Sequence, residues 1–385
     1  MDTVTLANWR TAPNSSQSFH NTDKLVPVSR IEAPKHAWAL PAEPQSLDAV
    51  IFEDHHGQMR QVPEVLDATA TRGLVVLQGG RLVAEQYGRG YDGTTPHILF
   101  SVSKSLTGAM AGILVDQGIL DPESLVIKYV PEVANSAYGD CTLRQVLDMT
   151  VNSSFSEEYI DLSGDYGRYR RATLWEPALP GENPGTLHGL LATLSRARGP
   201  HGEVFKYLSP NSDFLGWVVE RVSGQSFGSL FSTLVWKPMG AEAPAYVTVD
   251  SEGSPRTAGG ICALPRDLAR FGEMMRLDGK NILPNWWVKD ICCGGDSDSW
   301  KKGNMFHLFP KGRYRNKWYQ TGNASGAFCA IGIYGQWLWI DPLRDVVITK
   351  VSAQEEPVND DTDKLLILAF EAIAKAVEWQ KNRDC

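Results

Sequence analysis

The strand patterns of this chain stand at its two ends, and that placement limits the folds open to it. Residues 73–87 read Gly-Leu-Val-Val-Leu-Gln-Gly-Gly-Arg-Leu-Val-Ala-Glu-Gln-Tyr, two apolar runs joined by a tight Gly79-Gly80 turn. Far downstream, 335–341 and 346–352 form another apolar pair around Pro342-Leu343-Arg344-Asp345. Between Asp121 and about Leu234 the pattern is helical, clearest over 143–149, 186–194 and 211–222, and no strand run interrupts it convincingly. A further helix is expected over 265–277, and an amphipathic helix over 361–381 closes the chain. The prediction is an α/β (α+β) fold with an antiparallel sheet packed by the terminal helix and an inserted helical domain. Its parts would be a discontinuous α/β domain (61–120 and 235–385), a mostly helical domain (121–234) and a polar extension (1–60) wrapping the core, with the active site between the two domains.

With 385 residues, 43% of them hydrophobic, the chain can bury a substantial core. A net charge of -8 and the lack of any dominant Lys/Arg run argue against nucleic-acid or membrane partners. The one dense basic cluster, Arg168, Arg170 and Arg171, reads as a solvated loop or as a site for an anionic group on a substrate. No signal peptide or long apolar span is visible, so a cytoplasmic location is expected. The six cysteines, Cys141, Cys262, Cys292, Cys293, Cys329 and Cys385, show no zinc-site spacing, and reduced thiols are the default. Asp54-His55-His56 invites a metal reading, but the sequence offers no matching ligand cluster. Neither a metal nor an organic cofactor is implied, and a homodimer is compatible with the size and charge.

The chemistry begins at Phe100-Ser101-Val102-Ser103-Lys104. At i and i+3 of a helix, Ser101 and Lys104 share one face, so the lysine could take the proton that a serine must lose to act as a nucleophile. An ordinary lysine has a pKa of about 10.4, so this one would have to be desolvated. Leu99, Phe100, Leu106, Ala109, Met110, Ile113 and Leu114 would bury the helix that does so. A helix-capping serine with a snorkelling lysine fits the same spacing. Ser299-Trp300-Lys301-Lys302 repeats the pattern in a polar stretch that reads as a loop. Gly224-Gln225-Ser226-Phe227-Gly228 fits a nucleophile elbow, but a helix rather than a strand precedes it, so Ser226 reads as a turn or N-cap residue. Tyr207, in Tyr207-Leu208-Ser209-Pro210-Asn211, is either a core tyrosine or a proton shuttle. Beside a cationic lysine its phenol is expected to ionise more easily, so that Tyr207 and Lys104 share one proton.

Taken together, Ser101-Val-Ser-Lys104, Tyr207-Leu-Ser209 and Gly259-Gly260 followed by Arg266-Asp267-Leu268-Ala269-Arg270 occur in the order found in serine β-lactamase-like hydrolases, and the chain resembles that family from about residue 70 to 352. Gln145-Val-Leu-Asp-Met149, Glu157-Glu-Tyr159 and the segment 332–342 extend the likeness toward the branch that hydrolyses the 6-aminohexanoate dimer. The resemblance implies Ser101 as nucleophile, Lys104 as its base or electrostatic partner, Tyr207 as second acid/base, and the backbone N–H groups of Ser101 and Ile333 as oxyanion hole. It places Tyr159 at the leaving group, with Ser209, Asn211, Arg170 and Ala258 as substrate-contacting positions. Trp318, with Trp175, Tyr319 and Trp337, is a candidate for lining an acyl pocket.

The resemblance also shows departures. Ala330-Ile331-Gly332 lacks the lysine of penicillin-hydrolysing relatives, which argues against penicillin as substrate. Arg168 and Arg170 stand where the dimer hydrolases hold an aspartate, and Ala258 is apolar where they hold a polar side chain. Both changes favour esters or differently charged amides. The expected partner is a small-molecule ester or amide, with an acyltransferase or a stalled, penicillin-sensing module as alternatives.

Overall fold

The computed structural model describes residues 3–381, so Cys385 lies outside it. Among the described residues thirteen strands form in chain order: β1 (Val28–Ile31), β2 (Ile51–Glu53), β3 (Met59–Gln61), β4 (Thr71–Gln78), β5 (Arg81–Tyr87), β6 (His97–Ile98), β7 (Ala245–Thr248), β8 (Ile261–Ala263), β9 (Arg313–Arg315), β10 (Trp318–Gln320), β11 (Phe328–Gly332), β12 (Gln336–Asp341) and β13 (Val346–Ser352). Seven make the main antiparallel sheet, in the order β5-β4-β13-β12-β11-β10-β9. The join between the ends of the chain is the β4–β13 ladder, which runs from Gln78 opposite Val346 to Thr71 opposite Ser352. Gly79 and Gly80, at φ +57° and +78°, give β4 and β5 the left-handed pair that a two-residue hairpin turn requires.

Alternation sorts the sheet's side chains onto two covered faces. Val75, Leu77, Leu338, Ile340, Val347 and Val351 share a core with the helices Val102–Asp116 and Pro265–Arg276. Leu74, Val76, Trp337, Trp339, Val346 and Ile348 face the C-terminal helix Asp360–Lys381. With both faces buried, the central strands read as unbroken apolar runs rather than as alternating ones. A second sheet, β1-β7-β8-β6, lies beside the Ser101 segment, and β2 and β3 form a separate hairpin.

Several local readings change. The basic cluster is the helix Asp165–Ala172, with Arg170 and Arg171 buried. Local sequence displays its charges and hides their distant carboxylate partners. The second Ser-x-x-Lys copy lies on a short helix, Ser297–Lys301, with Ser299 and Trp300 buried and Lys301 paired to Asp298 at 3.2 Å. Ser226 caps the helix Phe227–Phe231 by accepting from the Ser229 N–H, and the preceding helix Pro210–Ser223 ends at the left-handed Gly224. The polar N-terminal stretch contributes two fully buried aromatic side chains, Trp9 and Phe19, as well as β1.

Candidate active site

The Ser101 segment leaves β6 and turns sharply into its helix. Leu99 N–H donates to Ile261 O on β8 at 2.9 Å. Phe100 then takes φ +43°, a left-handed conformation that costs a bulky residue about 1–3 kcal/mol unless packing holds it. Four rings do so: Phe19, Tyr334, Trp175 and Trp9, with centroids 5.0, 5.2, 5.9 and 6.4 Å from that of Phe100. Ser101 occupies the N-cap position but makes no capping hydrogen bond, so its hydroxyl is not committed to the helix.

Lys104 lies one turn on and is 1% exposed. Its Nζ donates to Ser101 Oγ at 2.8 Å and to Ala258 O at 2.7 Å. Among the described residues no carboxylate lies within ion-pair distance of it. Burial pulls the Lys104 pKa down to about 7; the Arg256 charge adds to this, while Glu157 and Asp213 oppose it. The Tyr207 ring lies beneath the ammonium, 5.0 Å from Nζ to centroid. Burial raises the phenol pKa well above 10 and the Glu157 charge raises it further, whereas hydrogen bonds to Ser101 and Tyr319 act the other way. The expected tyrosinate sharing a proton with lysine is therefore corrected: desolvation penalises both ions, and it leaves a neutral phenol beside an easily deprotonated amine.

The carbonyl that receives Lys104 is itself fixed from below. Asp213, fully buried in the helix Pro210–Ser223, accepts from Ala258 N–H at 2.6 Å, from Arg256 Nη1 at 3.0 Å and from the Tyr169 hydroxyl. The Arg256 guanidinium lies over the rings of Tyr169 and Trp175, at 4.1 and 4.5 Å. This buried pair fixes the 256–258 turn, and with it the direction from which Lys104 approaches Ser101.

Ser101 opens into a cavity of about 140 Å³ that Tyr207, Tyr159, Glu157, Ile333 and Asp363 help to line. The end of β11 closes against the Ser101 segment. A Cβ on Gly332 would sit 2.6 Å from Leu99 O and 3.1 Å from Ser101 N, so only glycine permits that approach. Neither the Ser101 nor the Ile333 amide donates to an acceptor among the described residues. Glu157 receives the N–H and hydroxyl of Ser209, and the Tyr159 hydroxyl at 3.1 Å. Asp363, from the C-terminal helix, has its pKa pushed up to about 7 by burial.

The structure thus brings Ser101, Lys104, Tyr207, Tyr159 and Ile333 together, with Ala258 contributing its carbonyl and Ser209 anchoring Glu157. Of the expected substrate contacts only Tyr159 lines the cavity: Ser209 and Ala258 stand behind it, and Arg170, Asn211 and Trp318 are engaged elsewhere. Arg170 is buried beside Glu176, at 3.8 Å, and over the Tyr166 ring. Its guanidinium is therefore not part of the cavity wall. Asn211 accepts from the Tyr138 hydroxyl at 3.2 Å inside the helical region. Trp318 is fully buried between Phe271 and Phe328. Conversely, Glu157, Asp213 with Arg256, and Asp363 had no site reading in the sequence. The only hint was the Glu157-Glu-Tyr159 triplet, because the partners of these residues come from distant segments.

The Beta-lactamase family model matches residues 53–372. Over 359 residues the chain is 36% identical to the 6-aminohexanoate-dimer hydrolase of Paenarthrobacter ureafaciens, spanning 92% of this chain and 89% of that protein. A solved structure from Bacillus anthracis, provisionally described as a 6-aminohexanoate-dimer hydrolase, superposes with a TM-score of 0.89 at 27% identity, covering 97% of each chain. A family VIII carboxylesterase shares the fold at 15% identity, with a TM-score of 0.59 over 81% of this chain and 96% of its own.

Proposed function

The chain belongs to the Beta-lactamase family, and from that premise we propose that it is a serine hydrolase that forms an acyl-enzyme at Ser101 and cleaves amides and carboxylic esters. The observation that carries this reading is the 2.8 Å contact between Ser101 Oγ and a lysine amine whose pKa desolvation has brought to about 7. Neutral Lys104 takes the Ser101 proton as Oγ attacks the carbonyl carbon. The charge that develops on the carbonyl oxygen is received by the Ser101 and Ile333 N–H groups. Tyr207, which keeps its proton at neutral pH, gives it to the departing nitrogen or oxygen as the carbon–heteroatom bond breaks, and the proton held by the Lys104 ammonium then restores the phenol, leaving a neutral amine beside the acyl-enzyme. Water then attacks the acyl carbon and loses a proton to the Lys104–Tyr207 pair, which returns it to Ser101 Oγ as the C–Oγ bond breaks and the acid leaves.

Amide hydrolysis is the activity named for the 36%-identical relative, and it comes to this chain as part of the proposal. Glu157 at the cavity wall, with Arg170 turned away, makes the site compatible with an amine-bearing leaving group. The test is intact-mass labelling with an active-site serine phosphonate, alongside turnover of p-nitrophenyl butyrate and of an anilide of 6-aminohexanoate. Loss of label and turnover in Ser101→Ala, with both retained in Ser226→Ala, is the expected result. Labelling that survives in Ser101→Ala would overturn it.

A further inference from the structure

Asp54-His55-His56-Gly57 forms the turn between β2 and β3, and the fold supplies the ligand that the sequence did not place beside it. Asp361, in the first turn of the C-terminal helix, reaches this turn. One ligand atom from each of His55, His56 and Asp361 lies within 4.8 Å of the other two. His55 Nε2 is 3.6 Å from Asp361 Oδ1, and the two imidazole centroids are 4.1 Å apart.

The turn that presents the imidazoles is itself held. The buried Asp54 carboxylate accepts the N–H groups of His56 and Gln58, each at 2.9 Å, and Arg60 Nε at 2.7 Å. Gly57 takes φ +76°. The two histidines are therefore carried side by side on a fixed backbone, with the His55 side chain 22% exposed to solvent. Tetrahedral coordination at about 2.0–2.2 Å needs ligand atoms about 3.3 Å apart, a small closure from the present spacing.

We propose that His55, His56 and Asp361 form a binding site for a divalent transition-metal ion of the zinc class, with water completing its coordination. Two imidazoles and one carboxylate are donors of intermediate softness, which suit Zn²⁺ rather than Mg²⁺ or Ca²⁺. Lys364 Nζ, 3.7 Å from Asp361 Oδ1, competes for the carboxylate and moves aside when the ion binds. The role is structural. The ion ties the β2–β3 turn to the start of the helix whose Asp363, with the preceding Pro357 and Val358, lines the cavity.

The experiment uses the full chain, stripped with a chelator and titrated with ZnCl₂ by calorimetry, with thermal unfolding and Co²⁺ absorption read in parallel. One ion per chain is expected, with a melting temperature raised by ~2–5 °C at a hundredfold excess over Kd. Co²⁺ should give tetrahedral bands without the near-ultraviolet thiolate absorption that Cys292 or Cys293 would produce. The paired substitution His55→Ala/His56→Ala, and separately Asp361→Asn, should each weaken binding by about tenfold or more while phosphonate labelling of the protein is retained. Absence of binding at millimolar ZnCl₂, or undiminished binding in the double histidine variant, would overturn the site and leave His55–Asp361 an ordinary ion pair.

Discussion

A lysine serves as a base at neutral pH only where its charged form is penalised, and Lys104 meets that condition through burial rather than through a cationic neighbour alone. The sign follows directly. Below a pKa of about 7 the amine is protonated and cannot accept the serine proton, so kcat/KM of the wild type should fall with unit slope as pH drops through 7 and level off above it. Asp363 titrates in the same range and lines the same cavity. Asp363→Asn separates the two: an acidic limb retained in that variant assigns it to Lys104, and a lost limb assigns it to the carboxyl. Lys104→Ala should lower kcat/KM by ~10²–10⁴-fold, and Tyr207→Phe by a similar factor with a greater loss on amides than on activated esters, because the poorer leaving group depends more on proton donation. Steady-state kinetics on p-nitrophenyl and anilide substrates checks both.

The segments that carry the site were readable to different degrees, for physical reasons. Ser101 and Lys104 stand on one helix three residues apart, so their contact is a local property that spacing can express. The central strands were legible as apolar runs because both faces of the sheet are covered. Asp213 and Arg256 meet across the fold, and nothing near either residue announces the other. Arg170 shows the converse failure: three arginines within four residues look like a charged surface until Glu176 and Glu182 are seen to fold against them. The β9 and β10 strands, each three residues long, were missed because so short a run carries no measurable period. At this scale the buried Asp213–Arg256 pair yields a prediction. Asp213→Ala should destabilise the protein by about 3–5 kcal/mol by leaving a buried guanidinium unpaired. It should also shift the acidic limb of the rate profile, since the carbonyl that orients Lys104 loses its support. Arg256→Met with Asp213→Leu should recover stability without recovering the limb, as denaturant unfolding and pH profiles together would show.

Across the whole molecule, the N-terminal segment acts on the Ser101 turn from the outside. Trp9 Nε1 donates to Trp175 O at 3.2 Å, and Phe19 O receives Ile98 N–H at 2.7 Å, so the segment braces both sides of the Phe100 turn. Trp9→Ala should cost about 3–5 kcal/mol in stability. If the brace also sets the Ser101 rotamer, kcat should fall at constant KM at temperatures well below unfolding, which a thermal melt and a Michaelis series would separate.

The join between β4 and β13 has a consequence for how the protein is made. The main sheet cannot close until residue 352 has left the ribosome, because β5 and β4 reach the remaining strands only through β13. A nascent chain must therefore hold the apolar β4–β5 hairpin and the Ser101 helix without their final partners for most of synthesis. Pairing across such a separation is slow, and unpaired edges aggregate meanwhile. Expression of this chain should depend on chaperones and low temperature more steeply than its native stability suggests, and any stop codon before β13 should yield insoluble material rather than a smaller folded domain.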